Sequence, residues 1–294
     1  MLTLRHRDGA EGLNARISVG NREVSIDLSK PVSLAIDLRF SEQQRQPRHF
    51  GAPAASSRPF AIPGFSGSVE HGASCNCHIL TLVPHCNGTH TECVGHLTRE
   101  PADAYSAVPL GLLPALLISV EPTDARADGE STEPTPQPGD SLITRSAILE
   151  SWAKANGDAN APPHFAPCAL VLRTLPNNAD KQHRDYSGQT PPYLTREAVS
   201  LLVERGIEHL VVDLPSIDRS HDEGRLTAHR VFFGLPRGSA TLAQATRPRA
   251  TVTELAYIPD SVPDGPYLLE LQVPALGGDA VPSRPLLYRW EPSA

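Results

Sequence analysis

The sequence predicts an α/β fold with a mixed β-sheet core and peripheral helices. The clearest evidence is an amphipathic segment that begins after a capping Thr195, ends at Gly206 and leads into the apolar residues 207–214. A helix followed closely by a buried strand is typical of α/β units. Residues 169–174 are largely apolar, as expected for a strand covered on both faces. The 29 prolines favour ordered turns and few long helices.

The first half of the chain is dominated by predicted strands. Residues 15–19 and 22–28 flank Gly20-Asn21, and alternating segments around a two-residue Gly-Asn loop are typical of a β-hairpin. This hairpin belongs to an N-terminal extension, residues 1–30. Residues 41–66 are rich in Gln, Arg, Pro and Ser and predict a long loop. Further strands are predicted at residues 32–38, 78–83 and 110–120.

The second half begins with an acidic segment, residues 121–139, that is full of Pro and Thr. It indicates a solvated surface loop, with a domain linker as the alternative. We favour the loop because candidate site residues lie on both sides of it, which predicts a single domain over residues 1–294. A helix is predicted to begin after Thr144 and to end at Gly157. Two more strands are predicted at residues 251–257 and 267–273.

Composition narrows the class of partner. The formal net charge of −7 argues against a nucleic-acid partner, because a phosphate-binding groove needs a local excess of Lys and Arg. No apolar run of about eighteen residues is present, so no membrane span is expected. The five cysteines do not form the even set of a disulfide-stapled secreted domain, and the N-terminus lacks the apolar stretch of a secretory signal. We therefore expect a cytoplasmic protein with reduced thiols that acts on a small-molecule substrate.

One segment concentrates the residue types that bind metals. Cys86, His90, Glu92 and His96 fall within eleven positions. His90 and Glu92 are two residues apart, so in an extended segment they project to one face. Thiolate, imidazole and carboxylate are zinc ligands, and imidazole with carboxylate also suits Mn²⁺ or Fe²⁺. A polar loop with incidental histidines is the alternative, but four such residues so close together favour a metal site.

The same segment carries a family resemblance. Gly88-Thr-His-Thr-Glu-Cys-Val-Gly-His resembles the His-x-Gly-Thr-His-x-Asp-x-Pro-x-His signature of the cyclase family, which includes bacterial kynurenine formamidases and isatin hydrolases. Further similar segments follow in order, at residues 193–199, 213–218, 226–230, 253–255 and 277–284. The resemblance extends over roughly residues 75 to 288. It implies a swivelling β/β/α-like fold and a homodimer.

The resemblance also implies a set of site residues. Two metals usually share the site in this family. His90 and Glu92 would bind the first metal, and Glu92 with His229 and Glu254 would bind the second. His96 corresponds to the last histidine of the signature, a proton donor and acceptor.

The chain departs from the family signature at three positions. Cys86 stands where the first metal-binding histidine belongs, and His85 lies one residue earlier, out of register. Glu92 replaces Asp, and Val94 replaces Pro. Because a thiolate can ligate zinc, Cys86 is included as the fifth ligand residue and favours a softer metal. The sequence leaves open whether Cys86 or His85 binds the metal. We expect one or two zinc ions, with manganese as the second choice.

These residues predict a metal-dependent hydrolase. A metal lowers the pKa of bound water and polarises a carbonyl, and His96 would move protons. The expected reaction is hydrolysis of an amide, a formamide or a lactam or ester-like bond. Ring closure or dehydration of a larger substrate is a related possibility, and a non-catalytic metal-binding or scaffold protein with the same fold is the alternative class. Asp213 and Asp218 either cap a turn or support His229.

Overall fold

The computed structural model describes residues 13–19, 22–41, 43–125, 129–156 and 166–292. Its strands are β1 (Asn14–Val19), β2 (Arg22–Asp27), β3 (Val32–Ser33), β4 (Ser56–Pro59), β5 (Ala61–Ile62), β6 (Phe65–Ser66), β7 (His78–Thr81), β8 (His90–Cys93), β9 (Leu113–Val120), β10 (Thr123–Asp124), β11 (Ser141–Ile143), β12 (Ala169–Thr174), β13 (Tyr193–Leu194), β14 (His209–Val212), β15 (Thr251–Glu254), β16 (Gly265–Gln272), β17 (Ala280–Pro282) and β18 (Arg284–Pro292). Its α-helices are α1 (Ala104–Ala107), α2 (Arg145–Asn156), α3 (Arg196–Glu204) and α4 (Thr227–Phe233).

One large mixed sheet organises these elements. It has 11 strands in the order β1-β2-β18-β16-β9-β12-β14-β15-β8-β17, with β3 paired to β18. The central strands β9, β12, β14 and β15 run parallel, while β16 and β8 join them antiparallel on either side. This confirms the predicted fold class. Ligand sites in such sheets lie beyond the carboxyl ends of the parallel strands, which points to the ends of β12, β14 and β15.

Both faces of the central strands are covered. On one face, Leu116, Leu170 and Leu210 belong to a buried cluster that includes residues of α2, α3 and α4. On the other face, the alternate residues Val171 and Val211 belong to a second buried cluster, which includes Leu34, Ala256 and Ile258 from segments outside the strands. Burial of an aliphatic side chain of this size contributes about 1.5–3 kcal/mol. The two clusters hold the strands rigid, so side chains just beyond the strand ends have fixed positions.

Most of the predicted elements are present. β1 and β2 pair antiparallel as the hairpin pattern predicts, although the loop residues Gly20 and Asn21 lie outside the described residues. Both predicted helix caps are confirmed: the hydroxyl of Thr144 accepts a hydrogen bond from the N–H of Ala147 at 3.2 Å, and that of Thr195 accepts one from the N–H of Ala198 at 3.0 Å. The predicted helix end at Gly157 also lies outside the described residues.

Other elements differ from the predictions. Only Val32–Ser33 forms a strand within residues 32–38, followed by an isolated bridge between Ala35 and Ala256. The predicted loop of residues 41–66 contains β4, β5 and the paired strand β6. The sequence did not predict α4, β17 or β18. α4 follows Leu226, whose φ of +47° and apolar side chain give no capping signal.

The acidic segment 121–139 is attached to the elements on both sides of it. Its strand β10 pairs with β11. The carboxylate of Glu130 accepts hydrogen bonds from the backbone N–H of Arg145 at 2.8 Å and from the hydroxyl of Thr195 at 2.6 Å. A carboxylate is favourable at these helix N-termini because of the helix dipole. The single domain itself stays a prediction. Among the helices that the structure describes, none is long and apolar enough to cross a lipid bilayer.

Candidate metal centre

The candidate centre lies where β15 ends and β8 begins. In this antiparallel pair, Glu254, the last residue of β15, is opposite His90, the first residue of β8. Side chains two apart in a strand share a face, so Glu92 projects on the same side as His90. His229 comes from α4, which packs over that side of the sheet. All four side chains are buried.

Three ligand atoms of this centre are buried without a hydrogen-bond partner among the described residues: Nε2 of His90, Oε1 of Glu92 and Nε2 of His229. Nε2 of His229 is 2.7 Å from Oε1 of Glu92, which is an ion-pair contact. Oε1 of Glu254 is 3.4 Å from Nε2 of His229, and Oε2 of Glu254 is 3.5 Å from Nε2 of His90. An unpaired buried polar atom costs about 1–3 kcal/mol. Three such atoms that face one shared space are an arrangement that a bound cation would satisfy.

The orientation of His229 is fixed by Asp218. Oδ2 of Asp218 accepts a hydrogen bond from Nδ1 of His229 at 2.7 Å, and the same carboxylate accepts from the backbone N–H groups of Ala228 and His229. Nε2 of the ring therefore faces Glu92. A carboxylate that accepts a hydrogen bond from the second ring nitrogen of a ligand histidine is typical of metal sites. The contacts show both roles predicted for Asp218, since its carboxylate caps backbone N–H groups and supports His229.

Backbone groups orient two further side chains. Oε1 of Glu254 accepts a hydrogen bond from the N–H of Ile217 at 2.8 Å, which directs Oε2 toward His90. Nδ1 of His90 lies 3.1 Å from the carbonyl oxygen of Gly88, which leaves Nε2 as the ligand atom. Gly88 has a φ of +95°, a backbone conformation that favours glycine. The Gly88-Thr89 turn thus positions His90.

A second group of ligand-type side chains adjoins the first through Glu92. Ligand atoms of His85, Glu92 and His96 lie within 4.8 Å of one another, as do those of His90, Glu92 and Glu254. Nδ1 of His85 is 3.0 Å from Oε2 of Glu92, and its Nε2 is 2.8 Å from Oδ2 of Asp279. Nδ1 of His96 is 3.4 Å from the same oxygen of Asp279. Glu92 therefore contacts both groups.

Sequence reasoning missed Asp279 and left open whether His85 or Cys86 binds a metal. A signal for Asp279 was available, since it lies in the segment 277–284 that resembles a family landmark. Gly95 allows its approach, because a Cβ at that position would lie 2.3 Å from the carbonyl oxygen of Ala102 and 3.1 Å from Cβ of Asp279. Only glycine fits between the segment that carries His96 and the loop that carries Asp279.

The prediction that Cys86 is a metal ligand stays a prediction. Cys86 is buried, but it belongs to neither of the two groups of clustered ligand atoms found in the described part of the chain. Burial and the charge of Glu254 raise the pKa of its thiol, so a metal ion would have to displace the thiol proton to bind Cys86 as the thiolate. The structure brings His85, and not Cys86, against Glu92.

The electrostatics of the centre also suit a cation. Burial opposes ionisation of Glu92, but the charges of His229 and His96 outweigh it and hold the pKa of the carboxyl well below its usual range. Burial opposes protonation of His229, but the charge of Glu92 and the hydrogen bond to Asp218 raise its pKa. In the same way, hydrogen bonds to Asp279 and Glu92 raise the pKa of His85 to about 10 despite its burial. Protons here balance carboxylate charge, so a metal ion would displace them.

Asp213 does not join the centre. Its carboxylate accepts hydrogen bonds from the N–H and hydroxyl of Thr174, and it forms an ion pair with Lys181 at 2.7 Å. The turn interpretation of this residue is also not what the contacts show. Asp213 belongs to a separate buried network at the end of β12.

Comparisons with known proteins agree with this architecture. The model of the cyclase family matches residues 26–219. A predicted metal-dependent hydrolase from Bacillus stearothermophilus has a similar solved structure, with a TM-score of 0.53 and 16% identity over 88% of this chain and 98% of that chain. Isatin hydrolase A from Labrenzia aggregata gives a TM-score of 0.53 and 16% identity over 89% of this chain and 94% of that chain. The structure of a potential metal-dependent hydrolase with cyclase activity gives a TM-score of 0.55 and 17% identity over 90% of this chain and 99% of that chain.

At these identities the solved structures show a shared fold. No curated protein sequence matches the chain. The family match spans well over half of the 294 residues and includes the segment of His90, Glu92 and His96. The chain therefore belongs to the cyclase family.

Proposed function

We propose that this protein is a metal-dependent hydrolase that cleaves the carbon–nitrogen bond of an amide, formamide or lactam, or a related ester-like bond. The observation that carries the proposal is the convergence of three buried, unpaired ligand atoms, from His90, Glu92 and His229. A scaffold without a ligand would gain nothing by burying these atoms unpaired. The family membership agrees with a hydrolase of this general kind.

The donor set assigns the ligands. His90, Glu92, His229 and Glu254 would hold a metal, with Glu92 shared between two positions. His85 or Cys86 would complete the position beside His96. Imidazole and carboxylate ligands suit zinc first and manganese second. A bound cation of this kind supplies Lewis acidity toward a carbonyl oxygen and makes water a stronger acid.

The protein's own groups supply proton transfer. His96 is the candidate proton donor and acceptor, because its side chain is 27% exposed whereas that of His90 is 1% exposed. A substrate can therefore reach His96. Asp279 lies 3.4 Å from Nδ1 of His96, which directs Nε2 of the ring away from Asp279. Hydrogen bonds from His85 and His96 lower the pKa of Asp279 far below its usual range, so it stays an acceptor.

The experiment that tests the proposal is elemental analysis of the purified protein, followed by turnover assays with a panel of aryl formamides, lactams and aryl esters. We expect bound zinc or manganese and hydrolysis of at least one amide-type substrate. Protein that binds neither metal on titration would contradict the proposal.

The non-catalytic alternative has one observation in its favour, the cysteine at position 86. Under this alternative, four protein ligands including Cys86 would coordinate the metal, and no turnover would be observed. A Cys86→His variant sharpens the test, because it restores the family signature. Under our proposal this variant keeps its metal and its substrate range.

The quaternary structure and location are further parts of the proposal. A homodimer and a cytoplasmic location are expected from the family resemblance and from the five free cysteines. Light scattering on the purified full chain measures the oligomeric state. A monomer at micromolar concentration would contradict the dimer without affecting the metal centre.

A further inference from the structure

A cavity on the outer side of α4 carries an unusual concentration of positive charge. It has a volume of about 410 Å³, and its charged lining residues are Arg196, Arg225, Arg230, Arg237 and Glu133. Four arginines against one glutamate give this lining a net formal charge of +3, in a protein whose formal net charge is −7. Guanidinium groups bind carboxylate and phosphate in a bidentate manner. The charge and the concave shape together point to an anion.

The cavity is separate from the candidate metal centre. Thr227, Arg230, Val231 and Gly234 line it, and residues spaced by three or four share one face of a helix. His229 projects from the opposite face of α4, where it contacts Glu92. A ligand in the cavity would therefore lie behind the helix that carries a metal-site histidine.

Arg230 is preorganised without being neutralised. Its Nε donates to the carbonyl oxygen of Arg225 at 3.1 Å, and its Nη1 donates to that of Ser239 at 2.7 Å. Both acceptors are uncharged backbone groups. Within the described ranges, no carboxylate forms an ion pair with Arg230. Its charge is therefore available to a ligand.

The remaining acids do not neutralise the other arginines. Glu133 lies 3.0 Å from Arg237 and 3.5 Å from Arg196, so one carboxylate serves two guanidinium groups. The contact of Arg225 with Glu223, at 3.6 Å, is between exposed side chains. Exposed pairs of this kind contribute about 0–1 kcal/mol, which an incoming anion can replace.

We propose that this cavity binds a small, multiply charged anion whose carboxylate or phosphate groups contact Arg225, Arg230 and Arg237. The volume lies within the range of small-ligand pockets. This inference does not depend on the proposed hydrolase activity.

The test is isothermal titration calorimetry of the full chain with inorganic phosphate and, separately, tricarballylate, at constant ionic strength. We expect saturable binding of at least one probe, and the tighter probe identifies the group that the cavity prefers. The double variant Arg225→Gln/Arg237→Gln should weaken binding by at least about tenfold, or about 1.4 kcal/mol. The matched control Arg58→Gln, an exposed arginine in β4, should bind as the wild type does.

Two further measurements distinguish binding in the cavity from misfolding and from binding at the metal centre. The side chains of Arg225 and Arg237 are 45% and 68% exposed, so the double variant should fold; if its melting temperature falls, Arg237→Gln alone gives the same readout. An anion held by the metal centre would be lost in His90→Ala, whereas binding in the cavity persists there. Absence of saturable binding, unchanged affinity in the arginine variants, or loss of binding in His90→Ala would each overturn the proposal.

Discussion

Two buried clusters of charge lie beyond the carboxyl ends of neighbouring parallel strands, and they differ in how their polar atoms are satisfied. Beyond β12 and β14, Asp213 accepts hydrogen bonds from the N–H and hydroxyl of Thr174 and pairs with Lys181 at 2.7 Å. Lys181 also donates to the carbonyl oxygen of Thr174 at 2.6 Å. Beyond β15, by contrast, ligand atoms of His90, Glu92 and His229 have no hydrogen-bond partner among the described residues.

The difference separates a structural cluster from a binding one. A buried charge must be compensated, by a partner or by a bound ion. The charge of Asp213 is compensated by Lys181 within the chain. Burial nevertheless raises the pKa of Asp213 by more than the charge of Lys181 lowers it. The centre at β15 places two imidazoles beside two carboxylates and leaves three of their inner atoms without a hydrogen-bond partner among the described residues. Without a ligand, protons on the imidazoles balance the carboxylate charge, and a metal ion would displace them, which is the physical basis for expecting a metal there.

The largest expected effect comes from removing a ligand at the second cluster. His90→Ala should lose metal and turnover together, because an imidazole ligand is removed outright. Metal stoichiometry by mass spectrometry and turnover on the best substrate measure both. His78→Ala, an exposed histidine in β7, is the matched control and should retain both. Full metal content in His90→Ala would remove this residue from the ligand set.

His96→Ala separates a proton-transfer role from a ligand role. If His96 moves protons, the variant keeps its metal and kcat falls by about 10²- to 10⁴-fold, or about 3–5 kcal/mol of barrier. If it is a ligand beside His85 and Glu92, metal content falls with activity. If it only supports the loop, the melting temperature alone falls. Unchanged turnover would show that His96 has neither chemical role.

Lys181→Met tests the structural cluster. It leaves the buried carboxylate of Asp213 unpaired, so we expect the free energy of unfolding to fall by about 3–5 kcal/mol. Metal content per folded molecule should not change. Urea unfolding monitored by circular dichroism measures the first quantity. Adding Asp213→Asn should recover part of the loss, and a single variant with wild-type stability would contradict the comparison.

Asp218→Asn should have a smaller effect, on metal affinity. The amide occupies the same space but cannot hold Nδ1–H of His229 as a carboxylate does, and loss of such a supporting group costs about 10- to 100-fold in affinity. Competition with a chelator measures the affinity. Asp222→Asn is the control, because this nearby carboxylate accepts hydrogen bonds from the backbone N–H groups of Gly224 and Leu226. Equal affinities for the two variants would mean that Asp218 does not support a ligand.

The smallest expected effect is a dependence of stability on pH outside both clusters. Burial lowers the pKa of His209 to about 4, from an ordinary value of 6.5. The unfolded chain therefore binds a proton that the folded chain does not, and stability present above pH 6.5 is lost as the pH falls toward 4. At one unit below 6.5 the loss is about 1.4 kcal/mol.

His209→Asn should flatten this dependence. The side-chain amide can replace Nδ1, which lies 2.9 Å from the hydroxyl of Thr251, and it does not titrate. Thermal unfolding between pH 7 and pH 5 measures the slope for both proteins. An identical slope would assign the pH dependence to other groups, such as the buried His49.

The sequence determined the local features of this protein. Helix caps at Thr144 and Thr195, the antiparallel pairing of β1 and β2, and the apolar strand β12 follow from patterns that span a few residues. The alternate spacing of His90 and Glu92 was equally local, because the period of a strand places both on one face. These features depend on interactions between near neighbours in the chain.

The tertiary structure decided what lies far apart in the chain. The register of β15 and β8 places Glu254 opposite His90. Asp279 contacts His85 although 194 residues separate them, and Lys181 contacts Asp213. Composition and spacing carry no information on such contacts. The choice of His85 over Cys86 beside Glu92 is of the same kind: register counted along the chain favours Cys86, whereas the fold of the loop turns the ring of His85 toward the carboxylate, because side-chain direction is set by packing in three dimensions.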